Sequence, residues 1–434
     1  MKTKYAIVGL GGRSYMYVDA ITKTYAEYAQ LVGVCDRNPG RAALVKTHAP
    51  ADSVAGLKEY TDDQFDQMIA ETNPDVVIVT TMDRYHEKYI VRAMQLGKDV
   101  ITEKPMTTDE VMCQRIVDTV ESTGRKLRVT FNYRYSPPRT QVKDLLMSGV
   151  IGDIYSIDFH WLLDTSHGAD YFRRWHRNKE NSGGLMVHKA THHFDLINFW
   201  IGSFPKSVFA SGQRRYYVPE TAERLGLHNR GERCRGCAEA SHCPFYLDMA
   251  KYDSMRQLYL EQEQYDGYFR DRCVFSPLID IEDNMNLIVN YDSGVKMSYS
   301  LNAFMPWEGY IVSFNGSKGR LEHRTMESVY INGDDRVQGE TIGEATSIRV
   351  YPHFGAHYDI PVWSAEGGHG GGDDVMLKDI FDPNTTTDPY KRAADWRGGA
   401  YSILTGIAAN HSMRTNQLIV IDDLVKGLKN PYID

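Results

Sequence analysis

The sequence predicts an α/β fold divided between two domains. Its 434 residues exceed what one ordinary hydrophobic core encloses. The first third alternates short apolar runs with helix-like segments, a pattern typical of a parallel sheet covered by helices on both faces. Residues 274–304 and 310–325 read instead as strands broken by Asp-Ser-Gly and Asn-Gly-Ser turns. We therefore expect a parallel-sheet domain over residues 1–127 and a second domain containing a sheet over residues 128–434.

Composition and charge narrow the range of partners. The formal net charge of -8 gives no electrostatic attraction to nucleic acid or to an anionic membrane. No apolar run reaches the length of a membrane span, and the N-terminus does not resemble a signal peptide. We expect a cytoplasmic protein whose partner is a small molecule.

The first apolar run ends in a glycine-rich turn. Gly9 and Gly11 occupy the first two positions of G-x-G-x-x-G, and Ser14 stands where a third glycine or alanine is usual. Such a turn lets the backbone approach a pyrophosphate, and the following helix offers it free N–H groups. The second run ends in Asp36, whose carboxylate would accept hydrogen bonds from a ribose and so favours NAD. Arg37 could pair with a 2′-phosphate, which keeps NADP as an alternative.

Ligands of parallel sheets bind at the carboxyl ends of the strands. Residues 57–71 read as one helix. Two strands are predicted after it, in PDVVIVTT and VITEKP, and the residues at their carboxyl ends are candidate ligand-binding residues. The predicted cofactor-binding residues are Gly9, Gly11, Gly12, Arg13, Ser14, Asp36, Arg37, Thr80, Thr81, His86, Glu103, Lys104 and Asn132.

A second concentration of proton-handling groups lies in GGLMVHKATHHFD, residues 183–195. Residues 188–202 read as one helix, which would place His188, His192 and Asp195 on one face. A histidine titrates near neutral pH and can accept a hydroxyl proton, while a lysine can stabilise the alkoxide or take the proton itself.

Other roles for this stretch stay open. His188 and His192 could hold zinc or manganese with an acidic neighbour. The histidines could also be hydrogen-bonded core residues, which is the interpretation favoured for His193. Lys189 would face elsewhere on the helix and be solvated.

The chain contains six cysteines. Cys35 and Cys113 lie in apolar segments and read as inert buried thiols. In a chain without a secretion signal, a group of four cysteines favours a metal over disulfides, either a structural zinc or an iron–sulfur cluster. Four unlinked thiols are the alternative. This group consists of Cys234, Cys237, Cys243 and Cys273.

These motifs, in this order, resemble the Gfo/Idh/MocA family of oxidoreductases. The likeness rests on the glycine-rich turn, Asp36, TTMDRYH, TEKP, FNYRY and GGLMVHKATHHFD, and it returns at GGHGGGDD, residues 367–374. Residues at about 212–275, here called the cysteine excursion, depart from the family pattern. The resemblance implies an N-terminal Rossmann domain, a C-terminal α/β domain with a large, mostly antiparallel open sheet, and a homodimer or homotetramer.

The resemblance also implies an NAD(P)-dependent enzyme that oxidises or reduces a secondary hydroxyl of a sugar, cyclitol or sugar derivative. Lys104 and His192 match the family's catalytic lysine and histidine, and His188 replaces an aspartate of the family motif. One alternative is a glycosidase or lyase-type enzyme that cleaves glycosides through a transient ketone and recycles bound NAD. Another is a nucleotide-binding sensor, against which the retention of Lys104 and His192 argues.

Residues 161–184 mix aromatic, arginine and histidine side chains in a predicted loop. Aromatic rings suit the apolar faces of a sugar, polar groups suit its hydroxyls, and adjacent arginines would suit a carboxylated sugar. A packed surface loop with an internal salt bridge is the alternative. The predicted substrate residues are Tyr133, Arg134, Trp161, Tyr171, Arg174, Trp175, His176, Asp195 and His369.

Overall fold

The N-terminal domain is built on a sheet of six parallel strands. In the computed structural model, which describes residues 2–364 and 366–432, their order is β3-β2-β1-β4-β5-β6. The short strand Ala394–Asp395 adds antiparallel to β6. The six strands are β1 (Thr3–Val8), β2 (Ala29–Cys35), β3 (Lys58–Tyr60), β4 (Val76–Val79), β5 (Asp99–Thr102) and β6 (Leu127–Val129).

Helices cover both faces of this sheet. Alternate side chains of β1 enter opposite cores, with Tyr5 and Ile7 in one and Ala6 and Val8 in the other. This alternation explains why the strands are apolar throughout. The helices are α1 (Ser14–Asp19), α2 (Pro39–His48), α3 (Ala51–Val54), α4 (Phe65–Thr72), α5 (His86–Gln95) and α6 (Glu110–Thr123).

The prediction of one helix over residues 57–71 is wrong. Its first residues form the edge strand β3, which pairs in parallel with Gly33–Cys35 of β2, and α4 begins only at Phe65. Backbone pairing along the open edge of β2 outweighs the helical pattern of these polar residues.

The second domain contains a sheet of nine strands in the order β14-β13-β12-β11-β7-β10-β9-β8-β16. Strands β7 and β10 pair in parallel and the other neighbours pair antiparallel. Its nine strands are β7 (Ile154–Asp164), β8 (Pro205–Gln213), β9 (Asn284–Tyr291), β10 (Lys296–Met305), β11 (Glu308–Gly316), β12 (Gly319–Glu327), β13 (Ser347–Pro352), β14 (Tyr358–Ile360) and β16 (Ile419–Val420). The strand that adds to β6 in the first sheet is β15 (Ala394–Asp395).

One face of this sheet packs against helices. Phe159, Trp161 and Leu163 of β7 point into the core, where α11 and the long helix α16 lie. The helices are α7 (Pro137–Met147), α8 (Thr165–Arg173), α9 (Lys179–Ser182), α10 (Gly184–His188), α11 (Thr191–Ile201), α12 (Pro219–Arg224), α13 (Asp253–Met255), α14 (Glu263–Asp266), α15 (Gly372–Phe381) and α16 (Trp396–Thr415). The predicted Rossmann domain followed by a mostly antiparallel α/β domain is confirmed.

The cysteine excursion begins in β8 and ends before β9. It is mostly irregular, with short helices and a π-helical turn over Arg256–Leu260. Asp283 fixes its base, because its carboxylate accepts hydrogen bonds from the backbone N–H groups of Arg215, Tyr216 and Tyr217. Across the described ranges, no helix combines the length and apolar character needed to cross a membrane.

Candidate active site

A cleft of about 380 Å³ is lined by both domains. The strand ends of the Rossmann domain form one side, and residues that follow β7 and residues of the cysteine excursion contribute the other. Its size lies within the range of small-molecule and cofactor sites.

The glycine-rich turn forms one end of the cleft. Gly9 has φ +89, and a Cβ there would lie 2.6 Å from the backbone nitrogen of Thr81, so no other residue fits without displacing a neighbouring strand end. The N–H of Gly12 donates to the hydroxyl of Tyr259 at 3.1 Å. Ser14 is buried behind the turn, where its hydroxyl donates to the carbonyl of Gly11 at 2.8 Å. Ser14 therefore braces the turn from behind and is not among the side chains that line the cleft.

Asp36 and Arg37 line the same end of the cleft. The Asp36 carboxylate accepts hydrogen bonds from the N–H groups of Leu10 at 2.6 Å and Asn38 at 2.8 Å. Burial raises the pKa of Asp36, while the nearby Arg41 guanidinium opposes that shift.

The ends of β4 and β5 are tied together beside the cleft. One ring nitrogen of His86 lies 2.8 Å from the carbonyl oxygen of Pro105, and the other lies 3.0 Å from that of Thr81. Thr80 and Thr81 also line the cleft. His86 thus positions the strand ends from which these residues and Lys104 project.

A charged network joins the glycine-rich turn to the second domain. Arg13 contacts Glu103 at 2.8 Å and Asp373 at 3.1 Å. Asp373 also accepts a hydrogen bond from Asn132 at 2.7 Å and lies 2.7 Å from His369. Although burial alone would raise it, Arg13 and His369 hold the pKa of Asp373 well below its usual range.

Lys104 faces the cleft at the end of β5. Burial lowers the pKa of its amino group to about 8, while the carboxylates of Glu103 and Asp83 oppose the shift. A lysine with this pKa is present near neutral pH in both its protonated and its neutral forms, as proton transfer to and from a substrate requires.

His192 faces the same cleft from α11. Burial, and next the charge of Lys104, holds the pKa of His192 well below its usual range, so the imidazole is neutral. Its ring stacks on Tyr133 with the centroids 4.5 Å apart. Nδ1 is buried and has no hydrogen-bond partner within residues 2–364 and 366–432.

His188 does not share a helix with His192. The chain turns after α10, where the N–H groups of Lys189 and Ala190 both bond to the carbonyl of Leu185. The predicted single helical face is therefore wrong, although both histidines reach the cleft. Nδ1 of His188 lies 2.5 Å from a carboxylate oxygen of Asp83. Burial raises the pKa of Asp83 and lowers the pKa of His188, so burial disfavours charge on both partners.

Four predicted substrate residues do not line the cleft. Arg134 donates two hydrogen bonds to Asp195, at 2.7 and 2.5 Å, and both side chains are buried. Tyr133 lies behind His192 with the Arg139 guanidinium 3.9 Å from its ring centroid. The ring of Trp161 stacks on His193, with the centroids 4.1 Å apart. The four predicted substrate residues that lie outside the cleft are Tyr133, Arg134, Trp161 and Asp195.

The other predicted substrate residues do line the cleft: Tyr171, Arg174, Trp175, His176 and His369. Trp175 stacks on His176 with the centroids 3.6 Å apart. These side chains, apart from His369, belong to helix α8 and the turn that follows it, so the predicted loop over residues 161–184 is wrong. Tyr171 lies in the last turn of α8 and Arg174 directly follows that helix, so both side chains reach the cleft from the same helix end.

Lys189 is buried, contrary to the prediction that it is solvated. Its amino group lies 3.8 Å from Glu308 and 4.7 Å from the centroid of Trp161. His193 occupies the core position expected for it, with Nδ1 2.7 Å from the hydroxyl of Tyr299.

The predicted structural zinc has no support. The four cysteines of the excursion line one cavity of about 30 Å³, and all are free thiols. Among the residues that the structure describes, however, no group of three or more His, Cys, Asp or Glu side chains is arranged to hold a metal ion. The same finding gives no support to the alternative of a metal held by His188 and His192. Shared lining of a cavity does not give the convergent ligand geometry that zinc requires.

Several residues of the cleft were missed by sequence reasoning. Asp83 follows β4 and could have been found by the strand-end rule. The others come from distant parts of the chain and carry no local signal: Tyr259, Asp266, Tyr268, Tyr330 and Asn332. His167 also lines the cleft, and it belongs to the stretch 161–184 that the sequence singles out for sugar binding.

Comparisons with known proteins agree with this fold. The family model described as "Oxidoreductase family, NAD-binding Rossmann fold" matches residues 3–131, and the one described as "Oxidoreductase family, C-terminal alpha/beta domain" matches residues 143–421. YteT of Bacillus subtilis (strain 168) is 37% identical over 406 residues, which cover 92% of this chain and 93% of YteT. The D-glucoside 3-dehydrogenase of Escherichia coli (strain K12) is 27% identical over 233 residues, 51% of this chain and 61% of that enzyme.

The fold is shared with solved structures. The WlbA dehydrogenase from Bordetella pertussis, solved in complex with NADH and UDP-GlcNAcA, superposes with a TM-score of 0.63 at 19% identity and with coverage of 97% of this chain and 99% of that chain. Because the two family models together span most of the sequence, this protein belongs to the Gfo/Idh/MocA family of oxidoreductases.

Proposed function

We propose that this oxidoreductase interconverts a secondary alcohol and a ketone on a sugar, cyclitol or sugar derivative, with NAD(H) as its cofactor. The observation that carries the proposal is the position of Lys104. Its amino group, with a pKa lowered to about 8 by burial, faces the same cleft as the glycine-rich turn.

The cleft suits a nicotinamide dinucleotide. Gly9 leaves no space for a side chain, and the N–H of Gly12 faces a hydroxyl that a phosphate oxygen could replace. Gly11, Gly12 and Arg13 would hold the pyrophosphate, and Asp36 would accept hydrogen bonds from the ribose. When bound, the nicotinamide supplies the hydride acceptor or donor.

Two side chains handle the hydroxyl proton in this proposal. Neutral Lys104 takes the proton from the substrate hydroxyl during oxidation, and protonated Lys104 returns it during reduction. Neutral His192 hydrogen-bonds the same oxygen and orients it. Asp83 and Glu103 keep the pKa of Lys104 from falling further, which preserves both protonation states near neutral pH.

The pH dependence of the reaction follows from the Lys104 pKa. Oxidation needs the neutral amine, so kcat/KM for oxidation is expected to rise with pH and to level off above about 8. Reduction needs the ammonium form and should decline over the same range. Steady-state rates measured across pH in both directions test this dependence. In Lys104→Arg, the change in kcat/KM near pH 8 should disappear. A change that persists in that variant would be assigned to another group.

Arg174 indicates the chemical class of the substrate. Its guanidinium lies 3.5 Å from Asp170, whose carboxylate is already bound at 2.5 and 2.8 Å by Arg270. Within the described part of the chain, Nε of Arg174 is buried without a hydrogen-bond partner. Arg174 therefore carries positive charge and donor capacity that Asp170 does not fully satisfy. A carboxylate on the sugar would pair with this guanidinium.

Replacing Arg174 by methionine tests this assignment. The KM for a uronic-acid substrate should rise by ~10- to 100-fold, because a charge-assisted hydrogen bond contributes about 1.5–3 kcal/mol. The KM for the neutral sugar with the same hydroxyls should change by less than about threefold, since uncharged hydroxyls do not need the guanidinium charge. Arg174→Lys should fall between the two, because lysine keeps the charge and loses the planar fork. Equal losses on both sugars would contradict recognition of a carboxylate.

The function itself is tested by turnover on a panel of neutral and carboxylated sugars, cyclitols and glycosides. Production of NADH in step with a keto product supports the proposed dehydrogenase. Release of free sugar from a glycoside without net NADH, with solvent deuterium in the product, identifies instead the redox-neutral glycosidase or lyase. Cofactor binding without turnover of any compound would favour the third alternative, a nucleotide-binding sensor.

We further propose that the protein is cytoplasmic and forms a homodimer or homotetramer. The outer face of the nine-stranded sheet carries Ile288, which is 52% exposed, and Ile311, which is 37% exposed. Native mass spectrometry of the purified protein measures the subunit number directly.

A further inference from the structure

We infer that Asp266, on the cysteine excursion, makes the cofactor site select NAD over NADP. The inference rests on the proposed NAD(H) dependence and assigns a role to a segment that the family resemblance leaves unexplained. It concerns residues 256–268, here called the wall segment, which extend from the second domain to the ribose end of the cleft.

The wall segment is docked on the Rossmann domain by several hydrogen bonds. The Tyr259 hydroxyl accepts from the N–H of Gly12 at 3.1 Å. Nε of Arg41 donates to the carbonyl of Leu258 at 3.1 Å, and the Asn38 amide donates to the carbonyl of Gln262 at 3.2 Å. The contacts of Arg41 and Asn38 lie outside the glycine-rich turn, so they hold the wall segment beside the cleft even where a phosphate replaces the Tyr259 hydroxyl at Gly12.

Asp266 is the centre of the interface between the wall segment and the Rossmann domain. Its side chain is only 3% exposed, and its carboxylate lies 2.9 Å from the Arg41 guanidinium. The Asp266 carboxylate also accepts a hydrogen bond from the Asn38 amide at 3.0 Å. The backbone carbonyl of Asp266 accepts a hydrogen bond from Arg37 at 3.3 Å. Of the two arginines near Asp36, Arg41 is thus ion-paired with the Asp266 carboxylate and Arg37 is hydrogen-bonded to the Asp266 backbone.

This arrangement disfavours a 2′-phosphate for two reasons. Such a phosphate needs cationic donors, and here Arg41 is already ion-paired with the Asp266 carboxylate while Arg37 donates to the Asp266 backbone carbonyl. It would also meet two carboxylates, because Asp36 and Asp266 both line the cleft and Asp36 lies 3.8 Å from Arg41. Ribose hydroxyls, in contrast, can donate hydrogen bonds to carboxylates, so NAD is accepted.

Fluorescence titration of the full-length protein with NADH and with NADPH, after removal of retained nucleotide, tests the inference without any sugar substrate. Wild-type protein should bind NADH more tightly by ~100-fold or more. Asp266→Asn should lower this ratio by ~10-fold or more, mainly through tighter binding of NADPH, because Arg41 loses a competing carboxylate while Arg37 keeps its contact with the backbone carbonyl. Asp266→Glu, which keeps the charge, should retain most of the preference.

Two controls separate charge from folding. Glu261→Gln removes an exposed carboxylate of the same segment, which pairs with Arg256 and does not line the cleft, and it should leave both affinities unchanged. Thermal unfolding without nucleotide checks that each variant is folded, and Asp266→Ser replaces Asp266→Asn if the latter is not.

The outcomes are distinct. An unchanged NADH to NADPH ratio in the Asn or Ser variant overturns the inference, and so does equal loss of preference in the Asn and Glu variants. Equal affinity of wild-type protein for both nucleotides also overturns it, without touching the proposed dehydrogenase. Binding of neither nucleotide refutes the proposed function itself.

Discussion

Replacing Lys104 by alanine should lower turnover by ~100-fold or more while the affinity for NADH changes by less than about threefold. The amine is the group in the cleft whose pKa of about 8 allows it both to accept and to donate the hydroxyl proton. Its loss removes proton transfer, whereas the glycine-rich turn and Asp36 remain in place. Steady-state kinetics and nucleotide titration on the same preparation measure the two effects.

Lys126→Ala is the matched control for this substitution. Lys126 is an exposed lysine immediately before β6, and its removal should leave turnover unchanged. Turnover of Lys104→Ala equal to that of wild-type protein would exclude Lys104 as the proton-transfer group. A parallel loss of nucleotide affinity would indicate that the lysine mainly supports the cofactor.

Asp195→Asn should strongly destabilise the second domain. The side chains of Asp195 and Arg134 are 1% and 4% exposed, so the variant leaves a buried guanidinium without its counter-charge. Breaking such a pair costs about 3–5 kcal/mol in the free energy of unfolding. Burial raises the pKa of Asp195 to about 6, so the measurement belongs at a pH above 7, where the carboxylate is ionised. Urea denaturation followed by tryptophan fluorescence gives the change.

Asp66→Asn provides a comparison on the surface. Its ion pair with Arg92 is 55% and 44% exposed, and such pairs contribute less than about 1 kcal/mol. Replacing both buried partners together, as Arg134→Met with Asp195→Leu, should recover much of the lost stability. If the Asp195→Asn protein were stable but had a raised KM for the sugar, Asp195 would be assigned to substrate binding instead.

Local motifs are sufficient to locate the cofactor end of the cleft. Gly9, Gly11, Asp36 and Lys104 each follow a predicted strand, and a parallel sheet brings all strand ends to one edge. The same rule applied to the residue after TTM would also have found Asp83. The position of each of these residues is set by the strand and turn that flank it in sequence, so the local sequence is enough to predict it.

Most of the substrate end depends on contacts between segments that are distant in the chain. Asp195 is predicted in the site because histidines stand nearby in sequence, yet its face of α11 meets Arg134. The alternation Ile157, Phe159, Trp161 along β7 does hold a usable signal, since its period of two places Trp161 in the core. Asp266 reaches the cleft only through the irregular cysteine excursion, and its charge pairing with Arg41 could not be anticipated.

The contact between Asp83 and His188 couples two positions that are distant in sequence. Here Nδ1 of His188, the residue that the family resemblance matches to an aspartate, lies 2.5 Å from the Asp83 carboxylate. An aspartate at position 188 would bring two buried carboxylates together, and their mutual repulsion would force one of them to stay protonated. The effect of a substitution at position 83 is therefore expected to depend on which residue stands at position 188, and the reverse.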